Sequence, residues 1–507
     1  MKKLVHEYHQ HKIFYNLLFA VFVFKILFAN WIPLTSDEAY FITWGKNLDY
    51  GYYDHTPFVG WLLAALLTVS DDLWWLRIPA ITLPLFIAWA IYKILDKYHP
   101  GSAFLVALAF LVAPVNVINV LITTDTPLIY FSFISAWFFY KAEITDNPER
   151  KSIYYLLTGL FLGLAFFSKY FAVLLGIAYG LYILFFQRNK SGFKGLALIL
   201  VMVLPFVLIN IVWNYNNCWN NILFNLFNRT AAADNVMDSL ISFITLLLYL
   251  YFPFIFVLRG ESRKILYTAW HEKFTHVFLW LAGLPVLIFF FLLFRKEVGL
   301  HWLLSFYPFI FIAMSRVLNY VQWKRTVYLF IIFSIVHLVV ISTILIAPVE
   351  NFANKKEAQQ NIIMGKYPED VFSKLEQYKD KYIFASISYG MASISSYYTG
   401  QHVYVIGEGS YHAREDDSLS DYSKLDGKNF MIFKRTALNI EPLRKYFSQS
   451  ERKTIVVHGV SFEILLGKGF KYHYYHENVL KQINQKYYQI PSWLPFGQCY
   501  FKSTYVF

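Results

Sequence analysis

Long apolar runs alternate with short polar segments along most of this chain. The runs are roughly 15 to 23 residues long, and a helix needs about 20 apolar residues to cross a bilayer. They fall at residues 13–33, 77–95, 103–121, 126–141, 154–168, 170–187, 194–213, 241–258, 275–294, 301–318 and 326–348. The pattern predicts a polytopic α-helical membrane protein with about eleven spans, and it leaves twelve or thirteen open.

One shorter apolar segment decides on which side of the membrane each loop lies. Residues 57–70 are few for crossing, so we interpret them as a helix at the interface. The basic loop residues then all fall on the cytoplasmic side, as the positive-inside rule expects. These are Lys93, Lys97, Arg150, Lys151, Arg188, Lys190, Lys194, the cations from Arg259 to Lys273, Arg316, Lys324 and Arg325. The opposite, extracytoplasmic face receives Asp37, His55, Asp125, Lys169, Arg229 and His301.

Composition agrees with a membrane protein and excludes several other classes. Hydrophobic residues make up 57% of the chain and charged residues 15%. The net charge of +12 does not indicate nucleic-acid binding, because the cations lie in loops between spans. Cys218 and Cys499 are the two cysteines, too few for a disulfide framework or a thiolate metal cluster. We expect no bond between them.

The character of the sequence changes near residue 350. The last part of the chain is polar, with short β-rich runs separated by glycine and charged residues. These runs are 382–387, 402–406, 429–433 and 454–457. We therefore expect a transmembrane domain over 1–349 and an α/β domain over 350–507, which an odd number of spans places outside the cytoplasm.

The loop after the first span, residues 34–70, carries candidate acid–base chemistry. Asp37 and Glu38 follow Ser36, and Tyr40 comes next on the same predicted helix. Acidic side chains in the first turn of a helix interact favourably with the helix dipole, and Ser36 is a suitable N-cap. A purely structural role is therefore available to these residues. A carboxylate at the membrane surface could alternatively accept a proton from an acceptor hydroxyl.

Lys169 is a single cation in an otherwise apolar stretch. A lysine at the centre of the membrane costs about 2.5–3.5 kcal/mol on insertion scales, less where its side chain reaches the interface. An ammonium group at the outer boundary is suited to neutralising the phosphate of a lipid. Asp125 stands at the start of the span 126–141, where it could cap the helix or bind substrate.

Short motifs spread over nearly the whole chain resemble those of one enzyme family. In order along the chain these are Asp37-Glu38-Ala39-Tyr40, Gly51-Tyr52-Tyr53-Asp54-His55-Thr56-Pro57, Arg77-Ile78-Pro79, Thr124-Asp125-Thr126-Pro127, Gly163-Leu164-Ala165, Ser168-Lys169-Tyr170, Trp213-Asn214, Ala392-Ser393 and Tyr397-Tyr398. Their order and spacing resemble bacterial GT-C glycosyltransferases of the family 39-like type. That family is related to protein O-mannosyltransferases and to aminoarabinose transferases acting on lipid A.

The resemblance implies roles for individual residues. Asp37 matches the catalytic carboxylate, Glu38 its partner, and Lys169 the lysine that holds the donor phosphate. His55 stands where aminoarabinose transferases have lysine, which argues against an aminoarabinose donor. We expect the donor phosphate to be bound by Lys169, His55 and Arg229. We expect substrate to be bound by Tyr40, Tyr53, Asp125, His301 and Tyr397.

The resemblance also implies an activity. We expect transfer of a sugar, with inversion, from a polyprenyl-phosphate donor to lipid A, another lipid-linked glycan or a protein. The site would face the periplasm from a monomer in the bacterial inner membrane, in contact with membrane lipids. A divalent metal ion on Asp37, Glu38 and His55 is left open. The main alternative is a flippase or transporter of a lipid-linked glycan, which predicts polar groups throughout the membrane depth. The second is an assembly scaffold.

Overall fold

A computed structural model of the chain describes residues 2–228, 236–259, 267–268, 270–295, 298–352, 355–410, 412–436 and 439–507. At residues 2–10, 228 and 350 it describes the backbone alone. The fold class predicted from the sequence is confirmed, because the chain is mostly helical and ends in a small domain with a β-sheet. By contact, the chain divides into two compact units.

The first unit is helical and comprises Met1–Asn30, Asp72–Leu208 and Ala231–Ile341. Its helices are α1 Lys2–Trp31, α4 Leu73–Leu76, α5 Ile78–Tyr98, α6 Pro100–Leu111, α7 Pro114–Ile118, α8 Asp125–Ile144, α9 Pro148–Ser168, α10 Ala172–Phe186, α11 Lys190–Asn216, α13 Val236–Val257, α14 Lys273–Leu292, α15 Leu300–Leu303, α16 Tyr307–Met314 and α17 Tyr320–Ile346. Three of them, α1, α11 and α17, extend into the second unit, α1 by one residue.

Seven helices in the described part of the chain are long and apolar enough to cross a membrane. They are His11–Trp31, Leu73–Tyr98, Pro148–Ser168, Lys190–Asn216, Val236–Val257, Lys273–Leu292 and Tyr320–Ile346. Each of the other predicted spans also overlaps a helix, but α6, α10 and α16 are shorter and α8 contains charged residues. The chain is a multi-pass membrane protein, and the count of eleven spans stays a prediction.

Small residues let two of these helices approach each other closely. A side chain on Gly163 of α9 would lie 2.2 Å from the ring of Phe206 on α11, and one on Gly159 would lie 2.5 Å from the carbonyl oxygen of Ile199. Membrane helices commonly pack through small residues, since lipid supplies no hydrophobic force to press the helices together. This packing fixes α9, and Lys169 directly follows its last residue.

The second unit comprises Trp31–Asp71, Ile209–Thr230 and Ser342–Phe507. Two short helices of the first loop, α2 Ser36–Lys46 and α3 Phe58–Leu67, belong to it. At ten residues α3 is about 15 Å long, too short to cross a bilayer, which agrees with an interfacial helix. The remaining helices are α12 Asn220–Leu223, α18 Lys356–Lys366, α19 Pro368–Glu376, α20 Tyr389–Thr399, α21 Asp416–Leu419, α22 Glu441–Arg444, α23 Tyr472–Tyr475, α24 Lys481–Tyr487 and α25 Tyr500–Tyr505.

A five-stranded mixed sheet forms the centre of the second unit. Its strand order is β2-β1-β3-β5-β4; β1 pairs in parallel with β2 and β3, and β5 pairs antiparallel with β3 and β4. The strands are β1 Ile383–Ser386, β2 Tyr404–Val405, β3 Phe430–Phe433, β4 Phe447–Val457 and β5 Val460–Phe470. Each predicted β-rich run overlaps a strand.

The sequence did not predict β5 or most of β4. In β4 most side chains before Ile455 are exposed and polar, so the apolar alternation is lost. Two glycines, Gly467 and Gly469, interrupt the apolar pattern of β5. The hairpin between these strands turns at His458 and Gly459, both with positive φ, as tight hairpin turns require.

The core of this unit includes residues far apart in sequence. Tyr53 from the first loop and Cys218 and Phe224 from 209–230 are buried with strand residues such as Phe430 and Leu465. The sheet therefore shares one hydrophobic core with two loop segments that precede residue 350.

A disulfide bond joins Cys218 to Cys499, so the expectation of two unbonded cysteines was wrong. The Cα atoms are 4.3 Å apart, across 281 residues of sequence. The C-terminal segment folds back on residues 213–219: the Cys218 N–H donates to the Gln498 carbonyl at 2.9 Å and the Trp219 indole to the Pro495 carbonyl at 3.0 Å. These tertiary contacts bring the two cysteines together, and the local sequence around either cysteine does not predict them.

Candidate active site

The first unit contains a buried ion pair between two of the predicted residues. The Lys169 ammonium group lies 2.8 Å from both carboxylate oxygens of Asp125. The two residues are only 4% and 7% exposed. Asp125 stands in the first turn of α8, as predicted, and it pairs with Lys169 instead of capping the helix with its side chain. Burial of a lone ammonium would be costly, and the carboxylate offsets that cost.

Aromatic rings adjoin this ion pair. The Lys169 nitrogen lies 5.2 Å from the centre of the Phe171 ring, which in turn packs 4.7 Å from the Trp302 ring. His301, the residue before Trp302, is exposed at the start of the short helix α15. The structure thus brings Lys169 and Asp125 into direct contact. His301 directly precedes Trp302, whose ring packs on that of Phe171 beside the ion pair.

The second unit contains Asp37 and Glu38, at the start of α2. Thr35 is the N-cap of this helix, not Ser36 as the sequence suggested. Thr35 and Glu38 form a capping box, in which Glu38 Oε2 accepts hydrogen bonds from the Thr35 N–H at 3.2 Å and its hydroxyl at 3.1 Å. Glu38 is 1% exposed, whereas Asp37 is exposed.

A tyrosine from the C-terminal region contacts Asp37. The Tyr389 hydroxyl donates a hydrogen bond to Asp37 Oδ1 at 3.1 Å. Burial and the nearby Asp37 charge raise the pKa of Tyr389, so this hydroxyl stays protonated and remains a donor. The approach is close because the next residue is Gly390: a side chain there would lie 2.7 Å from Ser36.

Tyr40 is the centre of a buried hydrogen-bond network. Its hydroxyl donates to Asp54 Oδ1 at 3.2 Å and accepts from the Glu415 N–H at 3.2 Å. The Glu415 carboxyl accepts from the Tyr53 N–H at 2.7 Å and from the Ser418 hydroxyl at 2.8 Å. Burial raises the pKa of Glu415 to about 8, so the folded protein holds this group largely protonated at neutral pH.

The segment from Gly51 to His55 is held from two sides. Tyr52 stacks on Trp44 with ring centres 4.4 Å apart, and the Trp213 ring leaves no space for a side chain on Gly51. The amide groups of Asn221 and Asn225 donate to the carbonyls of Tyr52 at 2.7 Å and Asp54 at 3.0 Å. The 209–230 segment therefore fixes the backbone of this motif.

The remaining predicted site residues have different surroundings. His55 is half-buried with its ring 5.9 Å from that of Trp44, and the Tyr397 hydroxyl donates to the Asp71 carbonyl at 2.8 Å. Arg229 lies outside the described residues. Within the described residues, no three His, Cys, Asp or Glu side chains are grouped so that they could hold a metal ion. The candidates Asp37, Glu38 and His55 therefore do not form such a group.

Three residues that contact the predicted site residues of the second unit were not predicted from the sequence: Tyr389, Glu415 and Asp54. Asp54 lies inside a motif that the sequence singled out, so its position carried a signal. Tyr389 is 352 residues from Asp37, and Glu415 is 362 residues from Tyr53, and no local pattern connects either pair.

The chain is similar to several known proteins. A family model described as dolichyl-phosphate-mannose-protein mannosyltransferase matches residues 54–213. The lipid A galacturonosyltransferase RgtD of Rhizobium johnstonii is 26% identical over 184 residues, or 35% of this chain and 38% of that protein. The match thus spans well under half of the relative's length.

Two crystal structures of ArnT from Cupriavidus metallidurans are similar to the chain over 89% of its length and 97% of theirs. The structure bound to undecaprenyl phosphate gives a TM-score of 0.62 at 13% identity, and the apo structure 0.61 at 14%. The chain therefore has the fold of the ArnT structures. Its predicted resemblance to GT-C glycosyltransferases is confirmed.

Proposed function

We propose that the chain transfers a glycosyl group from a polyprenyl-phosphate-linked sugar to an acceptor in the bacterial envelope. The acceptor is lipid A, another lipid-linked glycan or a protein. Support comes from the GT-C fold, from the relative named as a lipid A galacturonosyltransferase, and from the ArnT structure that contains undecaprenyl phosphate. The proposed roles of individual residues rest on the contacts described above.

Lys169 is the proposed holder of the donor phosphate. Its ammonium group is a compact positive charge, which suits it to binding a phosphate oxygen. The leaving phosphate gains negative charge as the glycosidic bond breaks. A fixed cation beside it stabilises the transition state more than the ground state, which is the condition for faster turnover. Asp125 is the proposed orienting partner, and His55 and Arg229 remain proposed additional ligands.

Asp37 is the proposed base. The capping contacts of Glu38 are structural, whereas Asp37 is exposed and its orientation is set by one hydrogen bond from Tyr389. In the proposed reaction the acceptor oxygen attacks the anomeric carbon, its proton passes to Asp37, and the bond from that carbon to the phosphate oxygen breaks. Polyprenyl phosphate leaves with the bonding electron pair. A single displacement of this kind inverts the anomeric configuration.

The disulfide supports an extracytoplasmic site. Disulfides persist in oxidising compartments such as the periplasm and are rare in the cytosol. Cys218 and Cys499 both belong to the second unit, which also contains Asp37. We therefore propose that this unit faces the periplasm of an inner-membrane protein that acts as a monomer. Tyr40, Tyr53, His301 and Tyr397 remain proposed substrate-binding residues.

The observation that carries the proposal is the exposed Asp37 carboxylate oriented by Tyr389. Mass spectrometry of envelope lipids and glycoproteins tests it, in cells with the chain, without it, and with Asp37→Asn at equal protein level. We expect one envelope component to lose the mass of one sugar residue both without the chain and with the variant. Retention of that sugar by the Asp37→Asn cells would contradict the proposed base.

A further inference from the structure

A polar groove made of two cavities lies along α2, between Ala39 and its last residue, Lys46. The helices α2 and α20 lie side by side with their first residues adjacent, because Ser36 packs on Gly390 and Asp37 bonds to Tyr389. Further along, two cavities open between them. The smaller is lined by Tyr40, Thr43, Tyr389, Ser393 and Ser396 and by two acidic residues, Glu415 and Asp416.

The larger cavity lies at the far end of the same groove and holds about 370 Å³. It shares Thr43, Ser393 and Ser396 with the smaller cavity, so the two are adjacent. It is additionally lined by Lys46 and Gln401. Lys46 is nine residues beyond Asp37, and at 1.5 Å per helical residue this places the two backbone positions about 14 Å apart.

The chemistry of the larger cavity is that of a site for an anion. Its lining residues in the described structure include a lysine and several hydroxyl and amide groups, and none of them is acidic. The side-chain amide nitrogen of Gln401 is buried, and within the described residues it has no hydrogen-bond partner. A buried donor without an acceptor is uncommon and costs about 1–3 kcal/mol, so it calls for a physical explanation.

Two further features fit a carbohydrate. Tyr397 and Tyr404 line the larger cavity, and aromatic side chains supply the apolar contact area that binding sites use beside their few polar groups. The Ser396 hydroxyl accepts a hydrogen bond from the Val403 N–H, which fixes its position and leaves its own proton available to an acceptor. Lys46 is exposed, so its ammonium group is accessible to a ligand in solution.

We propose that this groove is the acceptor subsite, and that Lys46 and Gln401 bind an acidic group, phosphate or carboxylate, carried by the acceptor glycan. The acceptor hydroxyl would then reach Asp37 at the other end of α2. This assignment rests on the proposed glycosyl transfer. It adds a substrate class, an acidic saccharide, and two specificity-determining residues that sequence motifs do not mark.

Binding to the purified full chain in detergent tests the proposal without any transfer reaction. The probes are glucose 6-phosphate, glucuronate and neutral glucose, and their dissociation constants are measured by calorimetry. We expect at least one of the two anions to bind more tightly than glucose. Tighter binding of glucose 6-phosphate identifies phosphate as the recognised group, and tighter binding of glucuronate identifies carboxylate.

Variants locate the binding. We expect Lys46→Gln to weaken anion binding about tenfold, and Gln401→Glu, which adds a like charge, to weaken it at least as much. Gln401→Leu removes the donor without a new charge and serves as the second variant if Gln401→Glu unfolds. Lys428→Gln is the matched control: it removes another exposed lysine of the same unit, outside the groove, and is expected to bind as the parent chain does.

The outcomes separate this proposal from the proposed transfer. Equal binding of the three probes, no anion binding, or unchanged binding by Lys46→Gln would overturn the acceptor subsite. Once transfer is assayed, we expect Lys46→Gln to raise the acceptor KM with little change in kcat. If anion binding follows the variants as expected but Asp37→Asn still transfers sugar, the proposed base fails and the groove remains an anion site.

Discussion

The ammonium group of Lys169 lies 2.8 Å from both carboxylate oxygens of Asp125, and the pair is almost fully buried. A buried pair of this kind is not evidence of stability by itself, since desolvation can cancel the attraction between the charges. Lys169 directly follows α9 and lies beside the Phe171 and Trp302 rings, and the proposed role of its ammonium group is to bind the phosphate of a lipid donor.

We predict that Lys169→Ala lowers transfer by at least about 100-fold, because a preorganised charge on the leaving group is lost. The same change leaves Asp125 buried without its cation, which costs about 3–5 kcal/mol of folding free energy. Activity and thermal unfolding therefore have to be measured on the same preparation.

A double variant separates the two effects. Replacement of the pair by apolar residues, Lys169→Met with Asp125→Leu, removes both charges and is expected to recover most of the lost stability. We expect it to remain inactive. Restored transfer in the double variant would show that the pair serves folding alone.

We predict that Tyr389→Phe lowers kcat roughly tenfold and leaves the substrate KM values nearly unchanged. The variant loses one hydrogen bond to a charged group, worth about 1.5–3 kcal/mol, and with it the fixed orientation of Asp37. Asp37→Asn removes the base itself and is expected to lower kcat by about 10² to 10⁴.

Tyr474→Phe is the matched control, because Tyr474 is also a tyrosine of the second unit and its ring packs against that of Tyr446, with ring centres 6.3 Å apart. We expect it to keep full activity. If Tyr389→Phe and Tyr474→Phe have the same kcat as the parent chain, Tyr389 does not position the carboxylate.

We predict that the stability of the second unit falls as pH rises from about 5 to about 8. Burial raises the pKa of Glu415 from 4.5 to about 8, so between these values the folded state binds a proton that the unfolded state has released. Unfolding is therefore favoured increasingly up to the folded pKa, by on the order of 2–4 kcal/mol over the window.

Glu415→Gln tests the sign of that effect. The amide is neutral at every pH and its oxygen can still accept from the Tyr53 N–H. Thermal unfolding at pH 5, 6.5 and 8 should show a smaller decline for the variant than for the parent chain. Parallel curves for the two proteins would mean that Glu415 titrates as an ordinary exposed carboxyl.

The sequence was sufficient to predict the membrane helices, three of the five strands, and those site residues whose type is unusual for their surroundings. Apolar runs predicted a helix at every span, and Lys169 was conspicuous because a single charge in an apolar stretch is costly. The strands β1, β2 and β3 were recoverable because their residues are apolar and bounded by turn residues. β4 is an edge strand whose residues before Ile455 are mostly polar and exposed, so only its last part gave such a pattern.

Tertiary pairings were not predictable from one sequence. The contact of Asp37 with Tyr389 depends on α2 and α20 packing together, and neither helix carries a mark of the other. The partner of Lys169 was nearer to recognition, since Asp125 was singled out on its own, but its pairing with Lys169 across 44 residues requires the helical packing. In both cases the local sequence identified one residue of the pair as a candidate, but the contact between the two residues depends on the tertiary fold.

We predict that neither Cys218 nor Cys499 reacts with a bulky maleimide in chain purified from the envelope without reductant, and that both react after reduction. The assay is unambiguous because the chain has two cysteines in total. The bond closes a loop of 281 residues, and removing a bond that closes so long a loop costs about 2–5 kcal/mol. We therefore expect Cys218→Ser with Cys499→Ser to lower the unfolding temperature, and reductant to lower it in the parent chain alone. Full labelling of the unreduced chain would place these cysteines in a reducing compartment and contradict the periplasmic orientation of the second unit.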